Sequence, residues 1–221
     1  MPHHAIDKQT LKHDPFRDAM FALVDYMHQR RNLFILLGSA LLLIVAAGAG
    51  WYGFSQYYSR WQSEAFAKVE TVLADTKLSK DERARSAQAA LEEFLKNYPR
   101  GALAPIALSY QGRLAFEQGR LDKAEQDFQQ VLEHGQTTPA LRVLALTSLG
   151  KLREAQGKPQ EAEAIYNRIE DKGFEALKAY NVGRAQLAQN KTEQARTSFT
   201  LAAQGTGTVS QWAREALEYL P

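Results

Sequence analysis

Hydrophobic and polar positions divide the chain into three regimes. Residues 33–54 (LFILLGSALLLIVAAGAGWYGF) are 22 consecutive residues without a charge. At ~1.5 Å per residue, a helix of that length spans the ~30 Å hydrocarbon layer of a bilayer. A buried core helix of that length normally shows a polar stripe, and this run has none. A transmembrane helix over 33–54 is therefore predicted. A cleaved signal peptide fits less well, because the preceding 32 residues and the apolar run are both too long.

Upstream, Asp14-Pro15 reads as an N-cap followed by proline at the first helical position. Phe16, Met20, Leu23, Val24 and Met27 recur at helical spacing, with Asp18, Asp25 and Gln29 off that stripe. Two readings stay open: a short helix lying on the inner membrane surface, or a plain extension of the membrane helix. Residues 1–13 are expected to be disordered. Within the membrane run, Ala46 with Gly50 and Ala49 with Gly53 are spaced four apart, which permits close helix contact.

Beyond residue 60 the pattern turns helical and repetitive. Three segments share one frame: Gly112, Gly119, Ala124, Phe128; Gly150, Gly157, Ala162, Tyr166; and Gly183, Asn190, Ala195, Phe199. Offsets within each are 7, 5 and 4, and the leading glycines lie 38 and 33 residues apart. The first glycine and the alanine suit the crossing of two antiparallel helices. The middle residue ends the first helix in a left-handed turn, which glycine and asparagine tolerate. The aromatic residue is expected to fill the gap to the next hairpin. One hairpin cannot bury its apolar face alone, so stacking is required. A degenerate copy precedes these: a helix over 61–76, a loop at 77–80, then Ala87, Leu91, Phe94 and Pro99. Residues 209–220 read as a capping helix after the flexible Gly205–Thr208.

This frame resembles the tetratricopeptide repeat, whose period is about 34 residues. Leu146, Leu149 and Gly150 match its consensus closely. Gln111 and Asn190 depart from it, and Ala115, Arg153 and Gln186 stand where the repeat usually has tyrosine. The fold class expected is all-α, a single N-terminal transmembrane helix followed by a tetratricopeptide-like solenoid of helical hairpins. Its parts are a tail over 1–32, the membrane helix over 33–54 and the repeat domain over 55–221.

Charge sets the orientation. Arg30 and Arg31 abut the membrane run on its N-terminal side, and Trp51, Tyr52, Tyr57, Tyr58 and Trp61 crowd the other end. Lys/Arg excess marks the cytoplasmic flank and aromatic rings favour the headgroup layer. The N-terminus is thus expected in the cytoplasm and the repeats outside it. Residues 55–221 carry 22 Lys/Arg against 21 Asp/Glu, far from the basic face that nucleic acid requires.

Catalytic chemistry finds no foothold. The chain has no cysteine, and of its histidines only His134 follows the membrane run; His3, His4, His13 and His28 precede it. A Ser-His-Asp site or a multi-histidine metal site in the repeats is excluded on that ground. Glu92-Glu93, Glu161 with Glu163, and Glu170-Asp171 sit beside Lys/Arg and read as solvated helix faces. Gly205–Thr208 lacks the glycine and lysine of a phosphate loop. No enzyme, no cofactor and no metal is expected.

One constellation points to binding. Arg113, Lys151 and Arg184 each follow a leading glycine, Ser109, Thr147 and Tyr180 each lie three residues before one, and Phe116, Glu154 and Leu187 each lie four after. In tetratricopeptide repeats the first helices line the groove, so these positions form a candidate protein-binding groove with a basic ladder.

The layout of a cytoplasmic tail and one anchor, with the passages at 97–104 (NYPRGALA) and 170–177 (EDKGFEAL), resembles the YfgM-type family over about residues 30–221, and the tail's own sequence departs most from it. That resemblance implies a bacterial inner-membrane protein ancillary to the Sec translocon, with a periplasmic repeat domain linked to periplasmic chaperones. The function it implies is a membrane-tethered scaffold or chaperone-like adaptor in protein export. The alternative is a structural subunit of a larger envelope complex serving division, outer-membrane assembly or a motor.

Overall fold

The structure is a computed structural model that describes residues 15–220. His3, His4, His13, the Asp14 cap and the disorder expected over 1–13 lie outside the described residues. The described residues form ten helices and no strand. They divide into two compact units, residues 1–58 and 59–221.

In the first unit, α1 (Pro15–Gln29) is a helix of its own. It ends one residue before α2 (Arg31–Ala74) begins. Arg30 stands in the turn between them, and its carbonyl accepts from the amides of Leu33 (2.9 Å) and Phe34 (3.2 Å). Every residue from 33 to 54 is exposed. Among the described residues α2 is the one helix long and apolar enough to cross a membrane. Helix α2 takes in both the apolar run at 33–54 and most of the helix expected over 61–76, and is continuous for 44 residues. Residues 55–60 hold no glycine or proline, so nothing in the chain stops it.

The second unit stacks hairpins. Its opening pair is the C-terminal part of α2, where Gln62, Phe66 and Val69 are buried, and α3 (Lys80–Asn97). Ser79 and Glu82 form a reciprocal capping box at the start of α3. Phe66 and Phe94 meet edge-on at 5.2 Å between centroids. Three full hairpins follow: α4 (Ala104–Glu117) with α5 (Leu121–Glu133), α6 (Pro139–Ala155) with α7 (Pro159–Asn167), and α8 (Glu175–Ala188) with α9 (Thr192–Ala203). Helix α10 (Thr208–Glu218) packs on α8 and α9 and closes the stack.

The repeated frame has a repeated physical cause. Gly119, Gly157 and Asn190 all adopt positive φ, at 74°, 71° and 62°. Each turn closes by the same pair of bonds, such as Arg120 N–H to the Ala115 carbonyl at 2.8 Å and Gly119 N–H to Phe116 at 3.0 Å. Asparagine substitutes for glycine in the third turn because its side chain tolerates this conformation. The leading glycines meet the aromatic of their own hairpin. A Cβ on Gly112, Gly150 or Gly183 would lie 2.8, 2.1 and 2.8 Å from a ring carbon of Phe128, Tyr166 and Phe199. The rings also reach onward as expected: Phe128 shares a core with Ala145 and Leu149 of α6, and Tyr166 with Val182 and Ala185 of α8.

The loop between α3 and α4 has its own anchor. Gln62, 2 % exposed, reaches out of α2 so that its Oε1 accepts from the Leu103 N–H at 3.2 Å. A Cβ on Gly101 would lie 1.7 Å from that oxygen. Glycine at 101 is therefore the residue that lets the Gln62 amide enter. The ring of His134, at the end of α5, places Nε2 3.2 Å from the Pro99 carbonyl of the same loop.

Candidate protein-binding face

Helices α4 and α6 pack side by side and leave an open cavity of about 310 Å³ between them. Ile106, Tyr110 and Arg113 line it from α4, Leu141, Leu144 and Ser148 from α6, and Phe128 forms its floor. On each helix the lining residues recur at spacings of three or four, so one stripe per helix faces the cavity. Leu144 is 48 % exposed, a large apolar surface for a residue beside a core.

Of the predicted ladder, Ser109 and Arg113 share this cavity. The Ser109 hydroxyl donates to the Pro105 carbonyl at 2.8 Å. Arg113 lies over the Tyr110 ring, 5.0 Å from its centroid, and its Nε is 3.9 Å from Glu117. Such a long pair between half-exposed side chains binds weakly. Lys151 is exposed on α6 and forms no ion pair among the described residues.

The third cation is engaged. Arg184 Nη2 donates to Glu154 Oε2 at 2.6 Å and ties α8 to α6. Thr147 is buried, and its hydroxyl has no hydrogen-bond partner among the described residues. Tyr180 packs at a tilt between Phe199 and Trp212, at 5.7 and 5.9 Å between centroids. Phe116 packs half-buried against the core shared by α4, α5 and α6, while Leu187 is exposed. The structure thus joins Ser109 and Arg113 in one cavity, leaves Lys151 open to solvent, and commits Thr147, Tyr180 and Arg184 to packing and pairing. Tyr110 and Leu144 were missed because the frame counted from the glycines skips them; the stripes Ile106–Tyr110–Arg113 and Leu141–Leu144–Ser148 carry the signal.

Polar staples hold the hairpins in register. Arg153 on α6 grips Glu125 of α5 with two nitrogens and places Nε 3.0 Å from Glu161 of α7. The Glu125 bond holds that guanidinium more firmly protonated. Glu163 on α7 accepts from Gln186 (3.0 Å) and Gln189 (2.7 Å), with Lys191 Nζ at 3.4 Å. Burial opposes its ionisation, but these bonds and the lysine charge outweigh it and keep the carboxyl below the usual range. Asp127 is the opposite case. Its side chain is fully buried and one oxygen has no partner among the described residues, so desolvation raises its pKa despite Lys123 at 2.6 Å. Among the described residues no cluster of His, Asp and Glu is placed to hold a metal.

The family described as "Tetratricopeptide repeat-like domain" matches residues 31–219. The chain belongs to this family. The family match opens at the first residue of α2, so it takes in the apolar run as well as the hairpins and leaves out α1. This tetratricopeptide repeat-like chain is also similar to a curated Haemophilus influenzae protein named "Ancillary SecYEG translocon subunit". The two are 26% identical over 172 residues, 78% of this chain and 82% of the relative.

Proposed function

We propose that this chain is a membrane-tethered scaffold that receives polypeptide segments beside the protein-export channel. The cavity between α4 and α6 carries this reading. It offers apolar depth from Tyr110, Leu141 and Leu144, with Arg113 at its edge. An amphipathic segment suits it: an apolar side chain enters, and a neighbouring carboxylate meets the guanidinium. The name of the Haemophilus influenzae relative supports the export channel as the workplace. Arg30 and Arg31 before the apolar run, and aromatic residues after it, support a single-pass anchor with a cytoplasmic N-terminus and a periplasmic repeat domain. Periplasmic chaperones and exported chains are then the natural occupants of the groove.

A photo-crosslinking residue at Leu144, in the full chain and in intact membranes, tests this. Products with channel subunits, chaperones or exported polypeptides are expected, with none from a crosslinker at Leu201 on α9. A fixed product with one component of a different envelope assembly would favour the structural-subunit reading instead.

A further inference from the structure

Helix α1 lies outside the family match and takes no part in the cavity. Its apolar residues Phe16, Met20, Leu23, Val24 and Met27 are all exposed, between 44% and 75%. At 3.6 residues per turn they occupy one stripe, with Asp25 about 180° and Asp18 about 200° around the helix from Phe16. Arg17, His28 and the exposed Phe21, about 140° from Phe16, fall between stripe and carboxylates. We propose that α1 lies flat in the cytoplasmic interface of the membrane, its apolar stripe among the acyl chains and Asp18 and Asp25 toward water.

Three observations favour a lipid occupant over a protein one. The stripe leads within a few residues into a run with no charge whose side chains are all exposed, so the chain already presents lipid-soluble surface at this point. At Arg30 the regular helix gives way to a single turn residue: its N–H still donates to the Tyr26 carbonyl at 3.1 Å, while its carbonyl accepts from both Leu33 and Phe34, so this junction is the point at which α1 can turn along the surface. Tyr26 meets Phe34 edge-to-face across that junction, at 6.2 Å and 82°. This ring pair bridges the junction, and Tyr26, Arg30 and Arg31 beside it are the residue types that settle at the headgroup depth, as rings and snorkelling cations. An interfacial helix is marked by this combination of an apolar face, a charged opposite face and a low net hydrophobicity.

The inference rests on the anchoring role of α2, so its test reads both. The chain has no cysteine, which makes single-site labelling clean. Leu23→Cys, Asp25→Cys and Leu42→Cys full chains, each carrying an environment-sensitive fluorophore, are reconstituted into phosphatidylglycerol–phosphatidylcholine vesicles. The Leu23 label is expected to emit to the blue and to lose fluorescence to nitroxides on the lipid chains. The Asp25 label should be quenched by aqueous iodide instead, and the Leu42 label by lipid nitroxides placed deepest. In a chain also carrying Met20→Asp and Met27→Asp, the Leu23 label should become aqueous while Leu42 stays deep. Equal water exposure of Leu23 and Asp25 with Leu42 deep would overturn the proposal alone. An aqueous Leu42 would overturn the anchor as well. A Leu23 label shielded from both quenchers, with shielding lost on dilution of protein in lipid, would show a second copy on the stripe and would also overturn it.

Discussion

The Cε1 edge of Tyr166 occupies the space where residue 150 would carry its first side-chain carbon, 2.1 Å away. Tyr166 is wholly buried, and burial with the nearby Glu154 charge pushes its phenol ionisation well above the ordinary tyrosine range. The ring cannot retreat into solvent, and the glycine cannot grow.

Gly150→Ala should therefore destabilise the repeat domain by about 1–3 kcal/mol, the usual cost of overpacking. Gly112→Ala and Gly183→Ala face rings at 2.8 Å and should cost less. Thermal melts of the three variants check the ranking; equal melting temperatures would refute the repeat register.

Residues 59–221 should fold cooperatively without the anchor, because the stack buries its own core. A fragment starting at residue 75 loses Gln62, Phe66 and Val69, all buried. It should melt lower by several degrees, since each buried apolar side chain is worth roughly 1.5–3 kcal/mol. Circular dichroism of both fragments decides this.

Gln62→Ala and Gly101→Ala should not be additive. Either change alone strips the Leu103 amide of its acceptor or forces the Gln62 amide aside, at about 1–3 kcal/mol. In the double variant the added methyl no longer meets the amide, so the combined loss should fall short of the sum. Denaturant melts of the four chains supply the cycle.

The basic ladder should separate into two kinds. Arg113→Glu and Lys151→Glu should weaken capture of an acidic amphipathic peptide without changing the melting temperature. Arg184→Glu should lower stability by about 1 kcal/mol, a modest loss because its guanidinium is partly exposed. Capture by the wild type should weaken as salt screens the charges. Fluorescence anisotropy at several ionic strengths, paired with melting curves, measures both.

Asp127 sets a pH dependence of definite sign. Its raised folded-state pKa means that the folded chain prefers the neutral acid. The associated stability is present below the ordinary carboxyl pKa of about 4 and is lost as pH rises through the folded value. Asp127→Asn should thus raise the melting temperature at neutral pH and lose that advantage at pH 3. Glu163, with a lowered pKa, runs the other way: its contribution is present at neutral pH and is lost as pH falls through its folded value.

The hairpin frame was legible because its causes are local. A left-handed turn at Gly119, Gly157 or Asn190 and a ring sixteen residues after a glycine both leave marks at fixed spacing. The unbroken α2 was not legible, since an anchor and a repeat helix each suggested its own boundary and no stop signal existed to contradict them. The groove was legible only in part. Position in the frame placed Arg113, Lys151 and Arg184 alike, but their state depends on partners elsewhere. Glu154, thirty residues before Arg184, engages that guanidinium, while Lys151 has no ion pair among the described residues. Tyr110 and Leu144 escaped because apolar residues on a first helix look the same whether they face a core or an open cavity.

The Gln62 bond also sets an order of events during synthesis. Its partner amide at Leu103 is made 41 residues later. At the usual 5–20 residues per second, the glutamine waits about 2–8 s after leaving the ribosome before its acceptor oxygen is satisfied. For that interval Phe66 and Val69 have no loop to seal them. The opening hairpin is thus the earliest to be translated and cannot be finished until the second has begun to emerge.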